Sequence, residues 1–370
     1  MQTLERFFNR TGSRFGRWQY PIILAFLIFF PQIVGLLTGD SPLGIERRGR
    51  LMQAGESVYW QSVLIEVFIL AILAMSYNLI FGFTGIISFG HALFFGMGGY
   101  LLGMLTELSG LSMESGLILG VVLGISVAAL LGLLIGLVSL RLKGVYFAMF
   151  TLAIAEMFFI YFSRLPTTRA EDGFPITALP VWLDARQSRL SFYYLTLALF
   201  ILTFIFVRRL IHSPTGAVFL AIRENEERAR AIGFNTLRFK LAAIMISGVI
   251  ASVAGMLQVL LNKKVGPELL SLDFTVDPLL HTIIGGIGTF TGPIVGAAGL
   301  HLSDTLLRDA EITIAGRVIN IGDSWALILG IIFIVVVMVF PQGLVGTWNR
   351  WRARRRATQA EAPNPATPPQ

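Results

Sequence analysis

The chain has 370 residues, 55% of them hydrophobic and only 14% charged, with a mean hydropathy of +0.73, whereas a water-soluble domain carries about 25% charged residues. It contains no cysteine and four scattered histidines without an HExxH pattern, which excludes disulfides and thiolate chemistry and leaves no metal site to expect. A net charge of +7 and a pI of 10.0 would suit nucleic acid. The basic residues lie mainly between apolar runs, however, so no nucleic-acid partner is expected; positive charge retained on the cytoplasmic face of a bilayer accounts for them.

Runs of about 20 apolar residues match a hydrocarbon core about 30 Å thick. They recur at 20–38, 62–81, 91–106, 116–139, 145–163, 190–207, 241–261 and 324–340, with an ambiguous segment at 278–303. The expected fold is all-α: a polytopic membrane protein of about 8–10 transmembrane helices. A basic arm (1–19) precedes the membrane domain (20–345), and a basic, Pro-rich tail (346–370) is expected to be disordered.

Arg6, Arg10, Arg14 and Arg17 precede the first apolar run, and no small-residue cleavage pattern follows it. The start of the chain is therefore expected in the cytoplasm, uncleaved. Alternation places loops 39–61, 107–115 and 164–189 outside, and Arg141, Lys143 and the charged segment 208–240 inside. The "RWRARRR" run after the last span also belongs inside. Segment 278–303 must then begin and end on one face, as a re-entrant hairpin or as two short crossings.

The first break in the apolar pattern is "NLIFGFTGIISFGHALFFG" (78–96). Here Asn78, Gly82, Thr84, Gly85 and Ser88 interrupt a span, and His91 opens the next helix. Non-helical backbone at membrane depth is tolerated where protein or a water-filled cavity satisfies its polar groups. These residues are candidates for lining a translocation path, although Ser88 also suits the role of a helix cap. Gly120, Gly124, Gly132 and Gly136 follow a spacing that suits close helix packing. Glu156 falls about 17 Å along its helix, near mid-bilayer, where a carboxylate either serves function or makes a structural hydrogen bond. Glu66 lies close enough to the end of its span to reach the interface, and Trp182, Tyr193, Tyr194, Trp348 and Trp351 read as interfacial anchors.

The stretch "SPTGAVFLAIRENEERARAIGFNTLRFK" (213–240) reads as a break at Ser213, Pro214 and Gly216, then a short helix from about Ala221 to Ile232. Glu224 and Glu226 stand four residues before Arg228 and Arg230, and Gly233 is a natural stop. Ile222, Ala229 and Ile232 fall in one stripe. The helix is either a solvated connector or a lever inserted into a cytoplasmic partner.

The second break, "TIIGGIGTFTGPIVGAAG" (282–299), resembles the first, with Gly285, Gly286, Thr289 and Thr291 at its centre and His281 just before it. Five crossings separate spans 62–81 and 241–261, so these enter the membrane from opposite sides. Inverted internal repeats with broken helices are a transporter signature. No GxxxxGK[ST] loop occurs, so a nucleotide-driven engine would have to be another subunit.

"YNLIFGFTGIISFGHALFFGMGGY", "LRLKGVYFAMFTLAIAEMFF", "AIRENEERARAIGFNTLRFKLAAIMISGVIASVAGML" and "TIIGGIGTFTGPIVGA" occur in that order. Together they resemble the LivM-type permease of branched-chain amino acid ABC importers, over roughly residues 60 to 345. The "AEDG" at 170–173 also looks like the family's external loop. The resemblance implies a multi-pass subunit of the bacterial inner membrane. Its partners would be a second, LivH-type permease, two cytoplasmic ATPase subunits and a periplasmic binding protein. It implies no enzyme activity and no cofactor in this chain, with ATP and Mg held by the ATPases. The family's coupling element corresponds to Arg223, Glu224, Asn225 and Gly233, and the same helix carries Glu227, Arg228 and Ile232. Urea and short-amide permeases are closely similar. A gradient-driven secondary transporter would show ion-coupling residues in both halves, and only Glu156 is so placed; a membrane enzyme would need a convergent catalytic set, which is not found.

Overall fold

The computed structural model describes residues 14–47, 50–142, 144–177, 179–308, 311–314, 317–320 and 325–361. Arg6, Arg10, Lys143 and the last nine residues of the tail therefore lie outside the described residues. Nearly all described structure is helical, with three short antiparallel strand pairs, as expected for an all-α polytopic protein. Among the described residues, six helices are long and apolar enough to cross a membrane: Pro21–Thr38, Glu56–Phe83, Met113–Ser139, Val145–Arg164, Arg189–Ile211 and Thr236–Asn262. The apolar helices His91–Glu107 and Trp325–Val339 hold 17 and 15 residues, below the roughly 20 that a full crossing needs.

The chain divides into two compact units. The first comprises residues 1–65 and 180–198. It contains α1 (Arg14–Thr38), the β1 (Ile45–Arg47) and β2 (Arg50–Met52) hairpin, the start of α2 (Glu56–Asn78) and the start of α6 (Arg189–Ile211). Pro31 lies inside α1 and has no N–H to give the carbonyl four residues earlier, that of Leu27. The Tyr193 hydroxyl donates to that carbonyl at 2.6 Å, and Tyr194 donates to the Ile28 carbonyl at 3.1 Å. Tyr193 is consequently fully buried rather than an interfacial anchor; a buried carbonyl freed by proline outbids the membrane surface for its hydroxyl.

The second unit comprises residues 66–179 and 199–370. Its centre is α3 (His91–Glu107), α4 (Met113–Ser139) and α9 (Thr236–Asn262). Gly116, Gly120, Gly124, Ala128, Gly132 and Gly136 form the buried ridge of α4. A Cβ on Gly120 would lie 2.9 Å from Leu102 Cα, and one on Gly132 would lie 3.0 Å from Met245 Cα. The expected small-residue packing thus brings three backbones together in the absence of a hydrophobic drive between lipid-embedded helices. Helix α5 (Val145–Arg164) buries Phe147, Ala148, Thr151, Ala155 and Phe162. The strand β3 (Phe174–Pro175), just after "AEDG", pairs with β4 (Lys264–Val265) at the end of α9.

The segment expected at 278–303 is two antiparallel half-helices, α10 (Asp273–Gly285) and α11 (Gly292–Arg308). They pack closely enough that a Cβ on Gly296 would lie 1.9 Å from the His281 carbonyl oxygen. After the β5 (Glu311–Ile314) and β6 (Arg317–Asn320) hairpin come α12 (Trp325–Val339) and α13 (Gly343–Glu361). The tail was expected to be disordered from residue 346, yet α13 continues to Glu361. Its arginine, alanine and glutamine residues favour helix.

Candidate functional site

At its C-terminal end α2 does not stop but widens into a π-turn, Leu79–Phe83, followed by Thr84 and by Gly85 at φ +75°. Widening to i→i+5 bonds and then breaking leaves main-chain groups without helical partners, and side chains from elsewhere in the fold supply them. Ser247 donates to the Ser76 carbonyl at 2.6 Å and Thr282 to the Ala74 carbonyl at 3.4 Å. The Thr84 hydroxyl returns to Ile80 O at 2.5 Å. Beyond the break, Phe89 N–H donates to Thr151 Oγ1 at 3.1 Å, Gly90 N–H to Ser88 Oγ at 3.3 Å and Ala92 N–H to Thr275 Oγ1 at 2.8 Å. Ser88 serves Gly90, which is itself the residue capping α3, so the expected capping role shifts by two positions.

The two breaks meet. Asn78, 2% exposed, accepts from Gly288 N–H at 3.0 Å and donates to the Thr289 carbonyl at 2.9 Å. A Cβ on Gly82 would lie 2.6 Å from the Gly288 nitrogen, so the two turns touch backbone to backbone. Gly288 has φ +70°, and the Thr289 hydroxyl closes its own turn on the Gly286 carbonyl at 2.7 Å. Gly285 and Gly286 are buried; a Cβ on Gly285 would lie 1.8 Å from Gly292 O, and one on Gly343 of α13 would lie 2.4 Å from Gly286 Cα. Thr291 is half-buried, and its carbonyl accepts from Val295 N–H at 3.1 Å as α11 begins. Several of the half-helix end groups expected to face a solute are thus bonded within the chain itself.

A third element reaches the same place. Arg223 Nη1 donates to the Gly82 carbonyl. A Cβ on Gly288 would lie 2.0 Å from that nitrogen, and one on Gly85 would lie 3.3 Å from Arg223 Cγ. One guanidinium therefore touches both breaks. Arg223 belongs to the charged segment 208–240, which departs from the single expected helix. Ser213 accepts from Gly216 N–H with Pro214 at the first helical position, so these residues start α7 (Pro214–Glu224) rather than break the chain. Asn225 is extended (φ −161°, ψ 103°) and caps α8 (Glu226–Ala231) by accepting from Arg228 N–H at 2.8 Å. This kink separates Glu224 from Arg228, whereas Glu226 and Arg230 pair at 3.2 Å as the four-residue spacing implies.

Val218, Ile222 and Ala229 bury a small core against Phe239. Ile232 does not join it and stands 67% exposed, beside exposed Phe234 and Leu237. Gly233, at φ +98°, donates to Arg230 O while Phe234 N–H donates to Ala229 O, which closes the segment as the sequence implied. Glu224, Asn225, Glu227, Arg228, Ile232 and Gly233 are all exposed. Glu226 also holds Lys240 at 2.5 Å and accepts from Thr236 Oγ1 at 3.1 Å. Burial raises the Glu226 carboxyl, but these hydrogen bonds and the nearby Lys240 and Arg230 charges outweigh it and hold the group below the usual glutamate value.

Residues 59–340 match the family described as "Branched-chain amino acid transport system / permease component". The chain belongs to this family. Among curated relatives of this permease component, the high-affinity branched-chain amino acid transport system permease protein LivM of Salmonella typhimurium is 27% identical, over 74% of this chain and 67% of that protein. LivM of Escherichia coli is 30% identical over 43% of this chain and 35% of that protein. A probable LivM of Methanocaldococcus jannaschii is 25% identical over 42% and 46%. The matched region thus spans less than half the length of the latter two relatives. Among solved structures, PsaBC from Streptococcus pneumoniae in complex with Fab aligns with a TM-score of 0.39 and 14% identity, over 77% of this chain and 92% of that one. Membership makes the chain a multi-pass transport subunit of the ABC importer class.

Within this permease the anticipated path residues separate into two groups. Asn78, Gly82 and Thr289 lie at the contact between the breaks and Gly85 lies against Arg223, whereas Thr84, Gly285 and Gly286 bond or pack around their own turns. His91 is fully buried beside the first break. Its Nε2 lies 2.7 Å from Ser76 Oγ, which lies 2.6 Å from the Leu73 carbonyl oxygen, and the ring packs edge-on to Tyr77. Glu156 is not with them. It was expected to be buried at mid-bilayer, but it stands on the exposed face of α5, because the buried face is already filled by the small and aromatic residues named above. Glu66 pairs with His301 at 3.1 Å. A cavity of about 10 Å³ beside the first break is lined by Ser88, Ser139, Thr151 and Ser247 among others. That volume holds one water at most.

Proposed function

We propose that this chain is one of two membrane-spanning permease subunits of an ATP-driven importer of the bacterial inner membrane that carries branched-chain amino acids inward from a periplasmic binding protein. The second permease is LivH-type, two cytoplasmic ATPase subunits supply the energy, and both termini of this chain lie in the cytoplasm. The observation that carries the reading is the reach of Arg223 from the cytoplasmic α7–α8 pair to Gly82 and Gly288. The exposed apolar residues Ile232, Phe234 and Leu237, ringed by Glu227 and Arg228, give an ATPase a surface to grip. ATP-driven closure moves α8, α7 follows, and Arg223 withdraws from Gly82, so that the paired breaks part. No chemistry is asked of this chain, only gating.

The test is reconstitution of the full complex in liposomes. Labelled leucine uptake should require both ATP and the binding protein, and excess unlabelled urea should not compete. Uptake by this chain alone on an ion gradient would overturn the proposal, and competition by urea would move the substrate assignment to short amides.

A further inference from the structure

The uncharged helix α12 ends at Val339 and the arginine-rich helix α13 begins at Gly343. A groove of about 640 Å³ lies at this junction, lined by Phe340, Leu344, Val345, Trp348 and Trp351 with Val295 of α11. Leu344, Trp348 and Trp351 recur at the four- and three-residue steps that place side chains on one helix face. The two indoles stack with ring centres 5.2 Å apart, yet they stand 51% and 43% exposed. One turn further on, the Arg352 guanidinium lies 5.0 Å from the centre of the Trp348 ring. The groove is thus apolar along its length and cationic at its rim. The sequence here carries Arg350, Arg352, Arg354, Arg355 and Arg356, with no aspartate or glutamate between Asp323 and Glu361. Arg350 and Arg352 are exposed, and neither pairs with a described acid.

Positive charge retained on one side of a bilayer accounts for the arginines, but it calls for no groove of small-molecule size beside them. The occupant has to bring an apolar part for the tryptophans and an anion for the arginines. An anionic phospholipid carries both, and it is found at the depth where an uncharged membrane helix gives way to a basic one. We infer that the α12–α13 junction is a binding site for an anionic phospholipid, with an acyl chain along Phe340, Leu344 and Trp348 and the phosphate at Arg352. The first turn of α13 also packs on the second break: a Cβ on Gly286 would lie 3.2 Å from the Gly346 nitrogen. A lipid held here therefore bears on the helix that packs against that break. The inference needs only a membrane-spanning chain, so it stands or falls apart from the importer reading.

The test uses the full chain with the subunits that purify with it, in phosphatidylcholine vesicles. A minor share of the lipid is phosphatidylglycerol bearing a photoactivatable acyl chain. Adducts located by mass should fall within residues 340–351, and Arg352→Gln should lower them about fivefold. Trp348→Ala should lower them to a similar degree although every arginine remains. Phosphatidylcholine bearing the same acyl chain should label 340–351 no more than it labels the exposed Leu130, Leu134 and Leu137 of α4. If Trp348→Ala does not accumulate, competition on the native chain decides: unlabelled phosphatidylglycerol should displace the probe, and soluble glycerol phosphate should not. Equal labelling by the phosphatidylcholine probe would mean bulk lipid, and undiminished labelling of Trp348→Ala would mean diffuse surface charge. Displacement by glycerol phosphate would mean a soluble anion, and no adduct at all would mean that protein covers the groove. Each of these four results would overturn the inference.

Discussion

The side-chain amide of Asn78 accepts the Gly288 N–H at 3.0 Å, joining two backbone breaks 210 residues apart. One side chain thereby satisfies a donor and, through Thr289, an acceptor that would otherwise be orphaned at membrane depth. Asn78→Leu removes both partners while keeping the volume. Each unsatisfied group costs about 1–3 kcal/mol, so the variant should lose several degrees of thermal stability in detergent. A fluorescence-monitored melt of the purified complex checks this, and an unchanged melting point would mean that the amide bonds carry no weight.

Arg223→Ala should separate energy use from transport. The link to Gly82 disappears while the exposed surface of α8 stays intact, so ATPase subunits still bind and hydrolyse. Leucine uptake per ATP hydrolysed should fall about tenfold, in keeping with loss of a charged hydrogen bond worth about 1.5–3 kcal/mol. Parallel assays of phosphate release and uptake in proteoliposomes measure the ratio.

Two glycines predict opposite outcomes. Gly82→Ala places a methyl 1.9 Å from Asn78 Oδ1 and 2.6 Å from the Gly288 nitrogen, and it should abolish uptake and lower the yield of folded protein. Gly299→Ala, inside α11 with nothing within 4 Å, should be neutral or stabilising by about 0.5–1 kcal/mol. Expression and melting of the pair test the packing of the breaks directly.

Gly233→Ala meets no neighbour, so its penalty is conformational alone, about 1–2 kcal/mol for a left-handed backbone. It should fray the end of α8 and weaken recovery of the ATPase subunits without altering the melting of the membrane helices. Pull-down and thermal unfolding of the same preparation separate the two effects.

Glu226 gives a pH dependence. Its carboxyl in the folded chain lies below the ordinary 4.5, so the folded segment binds its proton more weakly than the unfolded one. Its contribution to local stability is fully present above the unfolded value and is lost as pH falls through the folded value. Protection of amides 226–240, corrected for intrinsic exchange, should be flat from neutral pH to about pH 5 and fall below pH 4. Glu226→Gln should show the reduced protection at every pH.

Apolar run lengths disclosed the fold class, and glycine and threonine clusters disclosed both breaks, because lipid imposes such simple rules on composition. That Asn78 reaches Gly288 left no local trace, since the partner is 210 positions away and only tertiary packing brings it near. Arg223 was legible as part of a charged segment between spans, yet spacing alone says nothing about a side chain turning back towards the breaks. The kink at Asn225 was missed for a different reason. The acid–base spacing on either side fits one continuous helix, and the competing signal, an asparagine followed three residues later by Arg228 as its backbone partner, was outweighed. Tyr193 was misplaced because the sequence shows Pro31 and the tyrosine but not that they share one carbonyl.

The joint between α7 and α8 splits whatever force arrives from below. Glu226 ties α8 to Thr236 and Lys240 of α9, while α7 is held to α8 by the extended Asn225 and by the core that Val218 and Ile222 share with Ala229. On the importer reading, a shove on α8 would therefore pass along α9 into the three-helix centre and, through that shared core, to Arg223. On that reading one input yields both a piston stroke and a latch release.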